Sequence, residues 1–156
     1  MTGLDWFLIF AAVVIISIQT HRGSKDFDVI LYEMLSVVIS SFLATKWYPW
    51  LADTSRINPD YVFLFIFIIL GIILLIVADA LARQTEFNWP PFDSMLSFLF
   101  GFVSAWSILY ALLRAASLGK LLFISQQTID QSPIASEILN FKILHSLLNF
   151  LHSIGS

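Results

Sequence analysis

Long apolar runs alternate with short polar connections along most of the chain. Four runs carry at most one or two charged residues each and are read from their length rather than from a period. A bilayer core of about 30 Å needs about 20 helical residues to cross. The pattern therefore predicts an all-α membrane protein with four transmembrane helices, at residues 4–20, 28–45, 60–82 and 92–114.

The three connections between these runs are short, which predicts an antiparallel bundle of consecutive neighbours. They are expected at residues 21–28, 46–60 and 83–91. The second contains the helix breakers Pro49, Asn58 and Pro59. It also carries aromatic residues typical of a membrane interface, namely Trp47, Tyr48 and Trp50. Four spans place both chain termini and this second connection on one side of the membrane.

The C-terminal part of the chain has a different pattern. Ser132 and Pro133 are typical of the N-cap and first position of a helix. Apolar residues then recur on one face, at Ile134, Ile138, Phe141, Leu144, Leu148 and Leu151. Polar residues follow the other face, at Glu137, Asn140, His145, Asn149 and His152. This predicts an amphipathic helix, either in the interface plane or packed against the bundle. The chain thus divides into a transmembrane domain (1–124) and a linker with the amphipathic helix (125–156).

Composition supports this interpretation and narrows the function. Hydrophobic residues make up 58% of the 156 positions and charged residues only 12%, against about 25% charged in a soluble domain. The lipid bilayer is therefore the expected environment. Eight Lys and Arg are spread singly over a chain of net charge −3, which excludes a basic nucleic-acid patch. The absence of cysteine excludes disulfides and thiolate metal sites.

Two of the predicted helices carry small residues at every fourth position. Such spacing allows close backbone approach, which supplies packing between helices where lipid offers no hydrophobic drive. We expect both ladders to be helix contact faces. They are Ser36, Ser40 and Ala44 on the second helix, and Ser97, Gly101 and Ala105 on the fourth.

Acidic residues lie within two of the spans, close to one membrane face. An intramembrane carboxylate is costly and either pairs with a cation or lines a cavity. Asp79 lies four residues before Arg83, and Glu33 is expected to pair with Arg22 or Lys25. The favoured interpretation is that these pairs lock the bundle. The alternative is a polar path or a partner contact at this charged face.

No catalytic motif accompanies these features. The sequence lacks an HExxH, a GxSxG and a glycine-rich phosphate loop. His145 and His152 lie seven residues apart, but no third ligand is near them in sequence, so solvated histidines are the simpler interpretation. We expect no enzymatic activity, cofactor or metal.

Several motifs together resemble the colicin V production protein family. Asp5-Trp6 precedes the first helix, and Arg22-Gly23 ends it. Glu33 opens the run Glu33-Met34-Leu35-Ser36-Val37, and an aromatic exit follows at Trp47-Tyr48-Pro49-Trp50-Leu51. The fourth helix opens at Asp93 in the register of the family motif D-R-x-L-G-x-x-x-G-x-x-R-G. Both arginines of that motif are serines here (Ser94, Ser104), and two of its glycines are Ser97 and Ala105. The resemblance therefore implies a helix-packing role for this segment of the fourth helix. It does not imply any role of the two arginines, which are absent here.

The resemblance implies a multi-pass protein of the bacterial inner membrane that supports peptide toxin production or export and envelope integrity, without enzymatic chemistry. Two other classes stay open. The protein is either a subunit of a small ion channel or transporter, with Glu33 and Asp79 lining a polar path, or a scaffold that recruits a partner through its C-terminal helix. A homo-oligomer or a membrane-protein partner fits any of the three.

Overall fold

A computed structural model of the chain describes residues 2–23, 26–85, 92–119 and 126–140. Every regular element in these ranges is an α-helix, in agreement with the predicted fold class. The helices are α1 (Gly3–Gly23), α2 (Phe27–Ser55), α3 (Pro59–Ala82), α4 (Asp93–Leu118), α5 (Gln126–Asp130) and α6 (Pro133–Asn140).

The four long helices are those expected to cross the membrane. Each is long and apolar enough for that role, and α3 has the highest mean hydropathy, 3.3 over its most apolar window. The bounds of α3 match the prediction within one residue. Helices α1 and α4 run a few residues past the predicted C-terminal ends, to Gly23 and Leu118. The chain is therefore a multi-pass membrane protein.

The predicted connection at 46–60 is wrong in extent. Helix α2 continues through Pro49 to Ser55, and only residues 56–58 join it to α3. Pro49 removes one backbone hydrogen bond of the helix. Unwinding the helix inside the membrane would leave many more backbone N–H and C=O groups without hydrogen-bond partners. The aromatic residues of this segment therefore lie on the helix. The helix ends at Ser55, and the next residue, Arg56, has a left-handed backbone (φ 57°) while its N–H still bonds the Ala52 carbonyl at 3.0 Å.

Helices α2 and α4 form the middle of the bundle. Helix α1 packs mainly on α4, and α3 packs mainly on α2. One apolar cluster joins α2, α3 and α4 around Phe63 and Ala44. A second joins α1 and α4 to the C-terminal helices around Leu8, Leu109 and Ile138.

The outward faces of the long helices are rich in large apolar side chains. Phe10, Phe65 and Ile76 are each more than 60% exposed, which would be costly in water and is favourable against lipid tails. Serines and alanines instead occupy the interior, among them Ser40, Ser104 and Ala111. The interior also holds some large side chains, such as Phe63 and Ile30, but small residues where helices meet are what close helix packing in lipid requires.

The C-terminal segment begins as the sequence predicts but includes one unexpected helix. The predicted linker contains the short helix α5, and α6 starts at Pro133 with the Ser132 hydroxyl accepting the Ala135 N–H at 3.0 Å. Ile129, Ala135 and Ile138 are buried against α1 and α4. The described part of the amphipathic helix is thus packed against the bundle. Its predicted continuation, including His145 and His152, lies outside the described residues.

Candidate functional site

The small-residue ladder of α2 is a contact face, as predicted, and it faces α3. Ser36, Ser40 and Ala44 are all buried. The Ser36 hydroxyl lies 2.8 Å from the Tyr32 carbonyl of its own helix and 3.0 Å from the Leu74 carbonyl of α3. Each serine hydroxyl of the ladder thus finds a backbone acceptor while the helices approach closely.

The ladder of α4 faces α1. Ser97, Gly101 and Ala105 are buried. A methyl group placed on Gly101 would lie 3.0 Å from Gln19 Cβ and 3.4 Å from the Ile16 carbonyl oxygen. The glycine therefore sits directly on the backbone of α1. At Gly71, by contrast, an added methyl group meets only the Ser40 hydroxyl, at 3.9 Å.

Gly23 and Ser97 belong to one tight crossing. A methyl group on Gly23 would overlap the Ser97 side chain and lie 2.8 Å from Ile30 Cγ1. Gly23 is the last residue of α1, and Ser97 lies in the second turn of α4. Gly23 and Ser97, which belong to two different motifs of the family resemblance, thus contact each other. The contact is one of close packing, with no room for a side chain at Gly23.

Glu33 pairs with Arg22, one of the two predicted partners. The carboxylate accepts two bonds from the guanidinium, at 2.7 and 3.1 Å, and a third from the Gln19 amide at 3.2 Å. The Glu33 side chain is 17% exposed and the Arg22 side chain 51%. This bidentate geometry fixes the C-terminal end of α1 to the first turns of α2. Lys25 lies outside the described residues.

Asp79 pairs with Arg83 on α3, as its spacing predicts. The Asp79 carboxylate accepts a bond from Arg83 Nε at 3.0 Å and lies 2.9 Å from Nη2. Both side chains are more than half exposed. Asp93 begins α4 at the same end of the bundle and is half-buried. We call this end, where α1 and α3 finish and α2 and α4 start, the Glu33 end.

The opposite end, which we call the Asp5 end, holds a site that the sequence analysis missed. Asp5 is fully buried in the first turn of α1. Its Oδ2 accepts the Thr2 N–H at 2.6 Å, while the Asp5 N–H donates to the Thr2 hydroxyl at 3.3 Å. Its Oδ1 accepts the Ser132 hydroxyl at 2.5 Å and the Ile134 N–H at 3.2 Å. One carboxylate therefore caps two helices.

Half of this site has a recognisable sequence signal. Thr2 and Asp5 form a capping box, the pattern of Ser or Thr followed three residues later by an acidic residue before an apolar run. The other half, the contact with Ser132, joins residues 127 positions apart. No local spacing rule reaches that far.

A second acid at the Asp5 end is also buried. Asp60 lies in the first turn of α3 and is 3% exposed, and within the described part of the chain its Oδ1 has no hydrogen-bond partner. Gly119 lies so close that a methyl group there would overlap the carboxylate. On α4, Arg114 donates to the Tyr48 hydroxyl at 3.3 Å, and the Tyr48 ring packs edge-on to Phe63.

Polar atoms are also buried on α1 and α4, the two helices that form the seam through Gly23, Ser97 and Gly101. Among the described residues, four of them lack a hydrogen-bond partner: Gln19 Oε1, Thr20 Oγ1, Ser97 Oγ and Ser104 Oγ. Gln19 also binds Glu33, so the seam begins at the Arg22–Glu33 pair. Such groups cost about 1–3 kcal/mol each when left unpaired, and they are unusual in native structures.

Within the described ranges, no three His, Asp or Glu side chains gather closely enough to hold a metal ion. Comparison of the chain with models of known families, with curated proteins and with solved structures finds no match. The resemblance to the colicin V production proteins therefore rests on the sequence motifs and stays a prediction.

Proposed function

We propose that the protein is a non-enzymatic membrane scaffold, a rigid four-helix bundle that works by holding a membrane-protein partner. One observation carries this proposal: the two acids that the sequence analysis singled out as candidates for a polar path, Glu33 and Asp79, are each engaged in a local ion pair. Glu33 accepts three hydrogen bonds from Arg22 and Gln19, and Asp79 pairs with Arg83 on the surface of α3. Glu33 thus joins α1 to α2 and Asp79 joins two turns of α3, and carboxylates held in this way are poorly placed to accompany a moving ion.

For the cellular role, we propose the one that the sequence motifs imply, support of peptide toxin production or export and of envelope integrity in a bacterial inner membrane. This rests on the resemblance alone. Its test is complementation of a bacterial strain that lacks its own colicin V production protein. We expect the chain to restore secretion of the toxin. Normal membrane insertion of the protein without any restored secretion would contradict this role.

The scaffold proposal itself is tested by reconstitution and copurification. In liposomes loaded with pH- and K⁺-sensitive dyes, we expect flux equal to that of protein-free liposomes. In mild detergent, a tagged chain extracted from its native membrane should retain a stoichiometric membrane-protein partner or a second copy of itself. Flux above background that Glu33→Gln abolishes would contradict the scaffold and favour a conducting protein.

A second candidate function, a channel or transporter subunit, is favoured by one specific observation. Buried hydroxyl and amide oxygens of α1 and α4 lack hydrogen-bond partners among the described residues, and one of them belongs to Gln19, which binds Glu33. Polar groups in this arrangement are suited to hydrogen-bond water inside a membrane protein. In the same liposome assay, Ser104→Val should abolish flux if these buried polar groups line a conducting path, while Ser136→Val, on α6, should leave it unchanged.

A further inference from the structure

The contact between Asp5 and the start of α6 is chemically demanding. Asp5 lies fully inside the protein and receives bonds from two backbone N–H groups, one at the beginning of α1 and one at the beginning of α6. The Ser132 hydroxyl donates a further bond to Oδ1. Burying a carboxylate is costly unless hydrogen bonds of this kind compensate for the lost water.

The negative charge suits this position for a second reason. The first turn of a helix carries the equivalent of about half a positive charge, from its unpaired N–H groups. Asp5 lies within the first turn of α1 and touches the first turn of α6. Each carboxylate oxygen accepts a backbone N–H, from Thr2 or from Ile134, and these groups can only donate. An amide would present its NH₂ group to one of them, so the isosteric asparagine would fit the shape of the site but not all of its hydrogen bonds.

Helices α5 and α6 depend on docking for their stability. They contain 5 and 8 residues in their described extent, and helices of that length are marginal on their own in water. Their apolar side chains, Ile129, Ala135 and Ile138, are buried against Leu8, Leu109 and Leu113 of the bundle. Secondary structure in this segment and its attachment to the bundle are therefore expected to be lost together.

We propose that residues 126–140 form a strap that the Asp5 carboxylate holds against α1 and α4, and that loss of this one charge releases the strap while the four long helices stay packed. The strap covers an apolar floor made by Leu8, Leu109 and Leu113. Release therefore uncovers this floor at the membrane face. The device works independently of whether the bundle is a scaffold or a channel.

The test uses single cysteines, since the chain has none of its own. Ile138→Cys is the strap reporter. Ile30→Cys, at a fully buried position at the other end of the bundle, is the bundle reporter. Maleimide labelling is measured for each reporter alone and combined with Asp5→Asn. We expect labelling of the strap reporter to speed up by at least about tenfold, as for loss of one charged hydrogen bond. Labelling of the bundle reporter should stay unchanged.

Two further variants keep the test decisive. Asp53→Asn, on an exposed acid at the same end of the bundle, should leave both labelling rates unchanged. Ser132→Ala leaves α1 intact, removes the bond to Asp5 together with the cap of α6, and should speed labelling of the strap reporter in the same way. If Asp5→Asn disrupts the whole fold, the Ser132→Ala result decides. An unchanged rate for the strap reporter in folded Asp5→Asn or in Ser132→Ala would overturn the proposal.

Discussion

At the Glu33 end of the bundle, acidic side chains pair with arginines that reach water. At the Asp5 end, two acidic side chains lie almost fully inside the protein. Arg22 and Arg83 are each at least half exposed, whereas Asp5 and Asp60 are at most 3% exposed. Charge near a membrane surface thus serves two purposes here. Exposed pairs join neighbouring turns and helices, while the buried Asp5 fixes a distant part of the chain.

The largest effect on stability is expected where the two ends of α1 differ in packing. Gly23 and Gly3 lie at opposite ends of α1. Gly23→Leu forces a side chain into Ser97 and Ile30, while nothing lies within 4 Å of a methyl group on Gly3. We expect Gly23→Leu to lower the stability of the bundle by about 3 kcal/mol or more. Gly3→Leu should change it by less than about 0.5 kcal/mol. Thermal unfolding in mild detergent measures both, and similar unfolding temperatures would show that the α1–α4 crossing is not tight.

A smaller steric effect is expected halfway along the same seam. Gly101→Leu must push α4 away from the backbone of α1, at a cost of about 1–3 kcal/mol. At Gly71 on α3, an added methyl group meets only the Ser40 hydroxyl, at 3.9 Å, so Gly71→Leu should cost clearly less. The two variants share the same change in side chain, so their difference in unfolding temperature isolates the packing. Equal temperatures would count against the α4 ladder as a contact face.

Neutralising Glu33 is expected to have a modest effect. Glu33→Gln keeps the shape of the side chain and can still accept a bond from Arg22, whose side chain is half exposed. After allowance for solvent screening, we expect a loss of about 1 kcal/mol. On the scaffold proposal, complementing activity should be retained. A variant that unfolds at the wild-type temperature yet fails to complement would mean that the carboxylate itself is used.

At the Asp5 end, neutralising Asp60 is expected to leave the stability unchanged or to raise it, in contrast to neutralising Glu33. The Oδ1 of Asp60 has no partner among the described residues, so a neutral amide removes a desolvated charge without breaking a hydrogen bond at that oxygen. We expect the unfolding temperature of Asp60→Asn to equal or exceed that of the parent. A clear decrease would show that Asp60, like Asp5, stabilises the fold through its charge.

The smallest effect is expected at Asp79. Its pair with Arg83 joins consecutive turns of α3 on an exposed surface, and such pairs contribute about 0–0.5 kcal/mol. Asp79→Asn should therefore be indistinguishable from the parent in thermal unfolding at both low and high salt. A stability loss above about 1 kcal/mol at low salt would place Asp79 among the groups that hold helices together.

Much of the Glu33 end could be predicted because its determinants are local. Run length located α3 within a residue, the spacing of small residues located two contact faces, and charge spacing located the Asp79–Arg83 pair. The extent of α2 could not be predicted from its breakers. Pro49 interrupts a helix in water, but in lipid the alternative is a longer stretch of unpaired backbone.

The Asp5 end was harder to predict because its contacts are long-range. The capping box at Thr2 and Asp5 is visible in the sequence, yet it says nothing about Ser132, which lies far along the chain. The burial of Asp60 depends on where Gly119 comes to rest after α4. Which acids lie inside a helical bundle is set by helix ends meeting in space, and apolar run length carries no information on that.

The length of α2 has a consequence for how the molecule sits in the bilayer. Its 29 residues, at about 1.5 Å each, span about 43 Å, well beyond a hydrocarbon core of about 30 Å. The 21 residues of α1 match that core closely. Helix α2 therefore tilts or projects beyond the lipid tails, with Trp47 and Trp50, both about half exposed or more, suited to lie at the headgroups. The position of α2 therefore indicates how deep the protein lies in the bilayer. Lipids of different chain length should change the depth of the bundle along this helix.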